Sequence, residues 1–217
     1  MQRGFTLAEV LITLVIIGII AVMTIPTLIQ QQEKNAYVAG LKKAQSTLAS
    51  ANAQLLAEYG SGAYESLFLD DATLGNVALQ AMSKYLSIAK NCGTATGCLS
   101  HEVKYLRGAV QYSDFDASRA GSCGRAILND GTSIRIDSRP DCDDIGECAT
   151  VAVDVNGAKG PNTYGRDIFW LSLYKYKVAP VGWSVADIEH AGADSCVTES
   201  NGFYCATRVL RENAMNY

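Results

Sequence analysis

The chain has 217 residues and a formal net charge of −4, from 18 basic and 22 acidic side chains. This acidic balance argues against a surface that binds nucleic acid in general, while leaving room for a local basic patch. The sequence has no G-x-S-x-G elbow, no Walker loop and only two widely separated histidines, so an enzyme is not expected.

The first thirty residues are the most distinctive part of the sequence. From Phe5 to Ile29 the chain is almost wholly apolar, and Glu9 is the only formally charged side chain in this run. As a helix the run extends about 37 Å, which is enough to cross a hydrocarbon core of about 30 Å. A carboxylate inside such a span is costly, so Glu9 requires a partner. Cleavage between Gly4 and Phe5 would supply one, because it would create an ammonium group upstream of Glu9.

The residues around this junction carry a specific resemblance. The chain reads R-G-F-T-L-A-E-V-L-I from Arg3 to Ile12, and this segment resembles the prepilin N-terminus of type IV pilins and type II secretion pseudopilins. The resemblance implies that a prepilin peptidase cuts after Gly4 and that Phe5 becomes an N-methylated N-terminus. It implies that Glu9 recruits and registers subunits during filament assembly. Pro26 matches a position that bends or melts the helix in many of these proteins.

Two simpler interpretations of the segment fit less well. A secretory signal peptide has an apolar core of about 7–15 residues followed by a small-residue cleavage site, whereas this run is longer and no clean A-x-A follows it. A plain single-span anchor has no use for Glu9 or for a Gly-Phe junction. Lys34, Lys42 and Lys43 follow the span while one arginine precedes it, which disagrees with an N-terminus inside the cytosol. We follow the motif, because a cysteine-containing head belongs outside the cytosol.

Seven cysteines lie beyond the apolar segment. In an exported domain they are expected to form disulfides. Close spacing favours three pairs and leaves Cys123 over: Cys92 with Cys98, Cys142 with Cys148, and Cys196 with Cys205. The connectivity does not follow from the sequence alone. Zinc is the rival interpretation, but C-x5-C spacings do not match a zinc knuckle.

The helix is predicted to continue past the membrane. Beyond Gln30, apolar or small residues recur at steps of three and four, which is the spacing of a helical stripe. The stripe consists of Tyr37, Leu41, Ala44, Leu48, Ala51, Leu55 and Tyr59. We therefore predict one helix from Leu7 to Tyr59, bent or loosened near Pro26 and ended by the Gly-Ser-Gly sequence that starts at Gly60.

After this helix the pattern changes along the chain. Apolar spacing predicts a second helix over residues 73–90, followed by a mostly irregular stretch over residues 99–122. Asn-Asp-Gly at residues 129–131, between two apolar runs, is a strong hairpin signal. Residues 149–155 and 167–174 read as two further strands, and residues 175–178 either extend the last one or begin another. Residues 205–217 fit a short helix or an edge strand.

The predicted fold class is therefore α+β and pilin-like. A long N-terminal helix, with a membrane half and an amphipathic half, packs on an antiparallel sheet of about four strands, with a helical insertion between them. The expected organisation is a leader peptide at residues 1–4, a transmembrane and assembly helix at residues 5–30, and the amphipathic half of that helix at residues 31–60. A disulfide-containing globular head follows at residues 61–217.

The loop from Asp154 to Asp167 is a candidate metal site. Four side chains with oxygen atoms, Asp154, Asn156, Asn162 and Asp167, lie in a glycine-rich turn that could surround a hard cation. The loop resembles the Asp/Asn/Gly loop before the last strands of many pseudopilin-like heads, and major pseudopilins bind calcium in that general region. The match is not residue for residue. The Asn-Gly and Gly-Pro pairs are also turn formers, so a purely structural loop is the alternative.

The predicted function is a structural subunit of a bacterial type IV pilus or type II secretion pseudopilus. Its partners would be the prepilin peptidase, an inner-membrane assembly platform and other pilin or pseudopilin subunits, and no cofactor other than calcium is implied. Glu9 would pair with the ammonium of a neighbouring Phe5, or with that of its own chain. The protein would cross the inner membrane once, with its head outside the cytosol, before joining a periplasmic or extracellular filament.

Two further hypotheses belong to other classes. A minor tip subunit would use its enlarged, disulfide-pinned head to bind a surface, a secreted protein or DNA. A membrane-anchored exported enzyme would keep an uncut N-terminus and would show activity in its isolated head.

Overall fold

A computed structural model of the chain describes residues 4, 6–68, 74–99, 102–110, 123–139, 142, 146–182 and 196–217. The chain forms two compact units, Met1–Ala36 and Tyr37–Tyr217. We call the first the N-terminal unit and the second the head unit. Helix α1 (Leu7–Ser66) contributes residues to both.

The N-terminal unit consists of the first part of α1. Its large apolar side chains are exposed, from Leu7 to Ile29. An 18-residue window within α1 has a mean hydropathy of 2.6 and none of it is buried inside the molecule, so by length and composition this helix is able to cross a membrane. Pro26 lies inside α1, and the backbone keeps helical dihedral angles there.

In the head unit, α1 buries a stripe of side chains. The buried positions recur at steps of three and four: Val38, Leu41, Ala44, Leu48, Ala51 and Leu55. Tyr37 and Tyr59 are partly buried at the two ends of the stripe. The predicted helical stripe is thus confirmed, and its burial supplies most of the stability of an amphipathic helix.

Gly60 interrupts α1, but the helix does not end there as the Gly-Ser-Gly sequence predicts. The dihedral angles of Gly60 are φ 70° and ψ 170°, which glycine adopts at little steric cost. The helix then resumes and ends at Ser66. This last segment is held by Tyr64, which is fully buried and whose hydroxyl donates to Asn52 Oδ1 at 2.6 Å.

Six strands form one antiparallel sheet within the described residues. They are β1 (Ile88–Gly93), β2 (Gly124–Leu128), β3 (Ser133–Ser138), β4 (Glu147–Asp154), β5 (Ile168–Tyr174) and β6 (Lys177–Pro180). Each strand pairs with the next, so the order across the sheet is the order along the chain. The predicted hairpin turn at residues 129–131 joins β2 to β3.

The sheet has two more strands than the four or so that the sequence indicates. β1 has the sequence Ile-Ala-Lys-Asn-Cys-Gly, is largely exposed, and shows two irregularities in its pairing with β2. Such an edge strand lacks the apolar alternation by which strands are recognised. β6 has four residues and is a separate strand, so of the two predicted alternatives a new strand begins after Tyr174.

Helix α2 (Leu74–Met82) is shorter than the helix predicted over residues 73–90, of which residue 73 lies outside the described residues. After Met82 the chain turns, and the amides of Tyr85 and Leu86 donate to the Met82 carbonyl at 2.9 and 3.1 Å. Leu86 is buried although it lies outside the helix. This burial explains why the apolar spacing continues past the point at which α2 ends.

The sheet is buried on both faces because successive side chains of a strand point to opposite sides. Val151 and Val153 of β4 join the main core with α1 and α2, whereas Ala152 belongs to a second cluster with Leu99, Val103, Tyr164 and Ile168. Residues 102–110 are irregular apart from isolated pairings of Lys104, as expected for that stretch. Residues 111–122 lie outside the described residues.

The C-terminal segment forms helix α3 (Cys205–Glu212), the first of the two alternatives that the sequence allows. Three disulfides lie in the described part of the chain: Cys92–Cys98, Cys142–Cys148 and Cys196–Cys205. These are the pairs that close spacing favours. Cys123 is buried outside these bridges, and its thiol donates to the Asp137 carboxylate.

Two glycines let α2 lie directly on the sheet. A Cβ atom added to Gly75 would lie 2.3 Å from the Ile136 carbonyl oxygen, and one added to Gly124 would lie 2.1 Å from the Gly75 carbonyl oxygen. Both clashes are with backbone atoms, which cannot rotate away as a side chain can. The close approach of α2 to the sheet backbone therefore requires glycine at both positions.

We expect Gly75→Ala to lower the free energy of unfolding by at least about 3 kcal/mol, because the extra methyl group overpacks a backbone contact. Gly62→Ala is the matched control, since a Cβ atom there meets nothing within 4 Å. The control should change the free energy of unfolding by less than about 1 kcal/mol. Urea unfolding in detergent, followed by circular dichroism, measures both; equal effects would contradict the close approach.

Candidate functional site

Thr6 and Glu9 organise the start of α1. The backbone N–H and the hydroxyl of Thr6 both donate to Glu9 Oε2, each at 2.8 Å. In return, the Glu9 N–H donates to Thr6 Oγ1 at 3.3 Å. This reciprocal arrangement is a capping box, and it satisfies N–H groups that the first turn of a helix otherwise leaves without partners.

The capping box fixes where the helix begins. α1 starts at Leu7, and Gly4 precedes it as an exposed residue with nothing within 4 Å of its Cβ position. The predicted junction between Gly4 and Phe5 therefore borders the helix on its N-terminal side; Phe5 itself lies outside the described residues. The T-x-x-E spacing is the sequence signal for this box, and Thr6 is not among the site residues predicted above.

The capping box does not neutralise Glu9. Thr6 contributes two hydrogen-bond donors and no charge. A carboxylate placed in an apolar span still requires a cation from elsewhere, or it bears the cost of a buried charge. The geometry thus holds the Glu9 side chain back towards the N-terminal end of the helix, where an N-terminal ammonium group could pair with it.

The second candidate site is the loop between β4 and β5. The N–H of Val155 donates to the Asp167 carbonyl oxygen at 2.9 Å, which closes the base of the loop. The Asp167 carboxylate accepts hydrogen bonds from the N–H groups of Asn162 at 2.8 Å and Thr163 at 2.7 Å. At the other end, Asp154 Oδ1 accepts a hydrogen bond from the Asn156 N–H at 3.3 Å. The two aspartates therefore organise the loop from its two ends.

Burial shapes the chemistry of this loop. Asp154 and Asp167 are both fully buried. Burial raises the pKa of the Asp167 carboxyl above its usual value, although the hydrogen bonds from Thr163 and Asn162 act in the opposite direction. Asn156 Oδ1 and Asn162 Oδ1 are buried without a hydrogen-bond partner. A buried oxygen in that state is costly unless something binds it.

The oxygen atoms of this loop fit a hard cation. Two carboxylates and two amides offer only oxygen donors, which calcium prefers and zinc does not. Among the described residues, this loop included, no group of three or more His, Cys, Asp or Glu side chains is placed to hold a metal ion. The four loop residues predicted from the sequence therefore offer oxygen atoms from only two carboxylates and two amides.

Residues 1–25 match the family model described as the prokaryotic N-terminal methylation motif. The chain carries the N-terminal signature of type IV pilins and pseudopilins. That motif family is structural and not enzymatic. The α+β fold, in which a long helix packs on an antiparallel sheet, is consistent with a pilin-like fold. Comparison with the curated proteins and with the solved structures gives no match.

We expect Thr6→Ala to weaken the first turn of α1 by about 1 kcal/mol, because it removes both hydroxyl contacts of the capping box. Amide hydrogen exchange at Glu9 should accelerate about fivefold, which is the rate equivalent of that loss. Thr6→Ser is the control, since it keeps the hydroxyl group and should exchange like the wild type. Unchanged exchange in Thr6→Ala would show that the box does not stabilise the helix.

Proposed function

We propose that the chain is a structural subunit, a pilin or pseudopilin, of a bacterial type IV pilus or type II secretion pseudopilus. The observation that carries this proposal is the methylation motif at residues 1–25, in which the single acidic residue sits at the start of an exposed apolar helix. This combination favours a protein that is held by a membrane and then packs its apolar helix against other copies.

Processing would begin at the exposed Gly4. A prepilin peptidase would cut the bond between Gly4 and Phe5, which removes the leader peptide and leaves Phe5 with a free amine. Methylation of that amine would keep it basic, so it would remain a cation. The capping box supports this order of events, because it keeps Gly4 outside the helix and within reach of a peptidase.

Assembly would then depend on the charge of Glu9. The side chain is folded back onto Thr6, so its carboxylate lies near the end of the helix where the new ammonium group appears. Pairing with the Phe5 amine of a neighbouring subunit would neutralise both charges inside an apolar bundle. Pairing with the amine of its own chain is the rival within this mechanism.

The same proposal assigns the location and the partners. The first part of α1 fits an anchor in the inner membrane, with the disulfide-bonded head outside the cytosol. The assembly platform in that membrane and other pilin or pseudopilin subunits would then draw the chain into a periplasmic or extracellular filament. Secretion and pilus formation share this assembly step, so both remain within the proposal.

We expect Glu9→Ala, expressed beside the wild type, to enter sheared filaments at least about tenfold less, since removing one partner of a buried ion pair is strongly unfavourable. Glu9→Gln separates charge from capping, because glutamine can keep the capping box but carries no charge. We expect it to be as defective as Glu9→Ala. Thr13→Ala, in the same span, is the control. Normal incorporation of Glu9→Gln would show that the carboxylate charge has no role.

We also propose that the loop between β4 and β5 binds calcium. The support is the pair of buried amide oxygens without hydrogen-bond partners, beside the two buried aspartates. Because the folded-state pKa of Asp167 is raised, its ionised form costs stability at neutral pH, and this cost disappears as the pH falls through that pKa. Calcium would offset the same cost at neutral pH by compensating the charge.

We expect saturating calcium, at about a hundred times Kd, to raise Tm by about 5–10 °C relative to chelator. Asn162→Gly should abolish this rise, because it removes the buried oxygen but keeps a backbone able to adopt the observed φ of 50°. The matched control is Asn213→Gly, at the other described asparagine with positive φ. The rise should also fall on acidification as Asp167 becomes protonated. An unchanged Tm with calcium would contradict the site.

A further inference from the structure

Two connections of the sheet lie at the same end of the head unit. The β2–β3 turn and the β4–β5 loop share this end because successive antiparallel strands reverse direction. This end packs on the part of α1 that opens the head unit. Lys43 Nζ lies 2.8 Å from Asp130 Oδ2 in the turn, and a Cβ atom on Gly40 would lie 2.9 Å from Val155 Cβ in the loop.

Exposed basic side chains gather at this end, which we call the basic end. They are Lys43, Lys104, Lys159 and Arg166. Lys104 belongs to it because its N–H donates to the Asn162 carbonyl and its carbonyl accepts from the Tyr164 N–H, both at 2.9 Å.

Few acidic side chains oppose these charges. Asp130 is paired with Lys43, and the Glu102 carboxylate lies 3.8 Å from Lys104 Nζ. The carboxylates of Asp154 and Asp167 in the loop are fully buried. Among the residues that the structure describes at this end, exposed basic side chains therefore outnumber exposed acidic ones, although the whole chain has a formal charge of −4.

A cleft of about 430 Å³ opens at the same end. Lys159 and Ser133 contribute polar groups to its lining, while Leu99 and Ile127 contribute apolar ones. An exposed ammonium group beside an apolar lining suits an amphiphilic anion, whose charged group and apolar part each find a matching surface.

We propose that the basic end binds the anionic phospholipid headgroups of the membrane that α1 crosses. This inference rests on the proposed function, since it takes the first part of α1 as the membrane span. It accounts for an observation that the proposed function leaves aside: Lys34, Lys42 and Lys43 follow the span, where the usual charge bias of a cytosolic N-terminus does not place them.

The head unit is tethered to the proposed span. Seven residues separate Ile29 from Tyr37, so a fully extended link would reach at most about 30 Å. Attraction between basic side chains and anionic headgroups acts over about a Debye length, roughly 8–10 Å. A weak contact suffices for a tethered domain, because the tether raises its effective concentration at the surface. Phospholipid is the anion that accompanies the anchored chain before assembly, which favours it over other partners.

Lysine labelling in nanodiscs tests this proposal on the full chain. Single copies are placed in discs of phosphatidylcholine alone or mixed with phosphatidylglycerol, and an amine-reactive label is quantified by mass spectrometry. We expect Lys104 and Lys159 to label about threefold more slowly in the anionic discs, and high salt to remove the difference. Lys177 lies where β6 begins, at the opposite end of the sheet, and should label equally in both discs.

A pair of matched variants sharpens the test. Lys159→Glu should remove at least about half of the protection of Lys104, whereas Lys177→Glu, with the same change in net charge, should leave it intact. Equal labelling in the two kinds of disc would overturn the proposal, and so would equal protection of Lys177.

Three further outcomes would also overturn it. Protection that appears only with several copies per disc would identify a second copy of the chain as the partner. Equal protection by inorganic phosphate in neutral discs, at matched ionic strength, would identify a free anion. Protection by duplex DNA in neutral discs, without protection by anionic lipid, would identify nucleic acid. A chain that does not enter discs at all would contradict the proposed span itself.

Discussion

The head unit depends on one constraint, which is that α1 must bury its stripe while the rest of its surface stays polar. Leu41, Ala51 and Leu55 are fully buried against the sheet. Polar contacts then fix the register of the helix on the strands, since Gln45 Nε2 donates to the Val178 carbonyl and Asn52 Nδ2 donates to the Tyr174 carbonyl. The positions of the two connections at the basic end follow from this packing, because Lys43 and Gly40 belong to the same helix.

Elements with strong periodicity could be predicted from the sequence. The stripe of α1 repeats over many turns, and the Asn-Asp-Gly turn has few structural alternatives, so both appear where expected. Elements whose identity is set by their neighbours could not be predicted. β1 is an exposed edge strand that gains its pairing from β2, and α2 ends at Met82 although Leu86 continues its apolar spacing outside the helix. The helical turn after Gly60 depends on the burial of Tyr64, which no local pattern indicates.

The candidate sites divide in the same way. The proposed roles of Gly4, Phe5 and Glu9 rest on a short motif, in which a charge in an apolar span already calls for an explanation. The T-x-x-E spacing also indicates Thr6 as a capping partner of Glu9. Only the structure shows the two reciprocal hydrogen bonds between these residues. In the loop between β4 and β5, the sequence supplies the oxygen atoms. The fold decides which of these oxygen atoms are buried without hydrogen-bond partners. The fold also brings lysines that are distant in sequence together at the basic end.

The central proposal is that the chain is a processed, exported subunit whose N-terminus is cut and methylated before assembly. The intact mass of the native protein tests this most directly. We predict a chain that has lost Met1 to Gly4, has gained one methyl group, and lacks six hydrogens because of the three disulfides. A native mass that retains the first four residues, or that shows a cut elsewhere without methylation, would contradict the account.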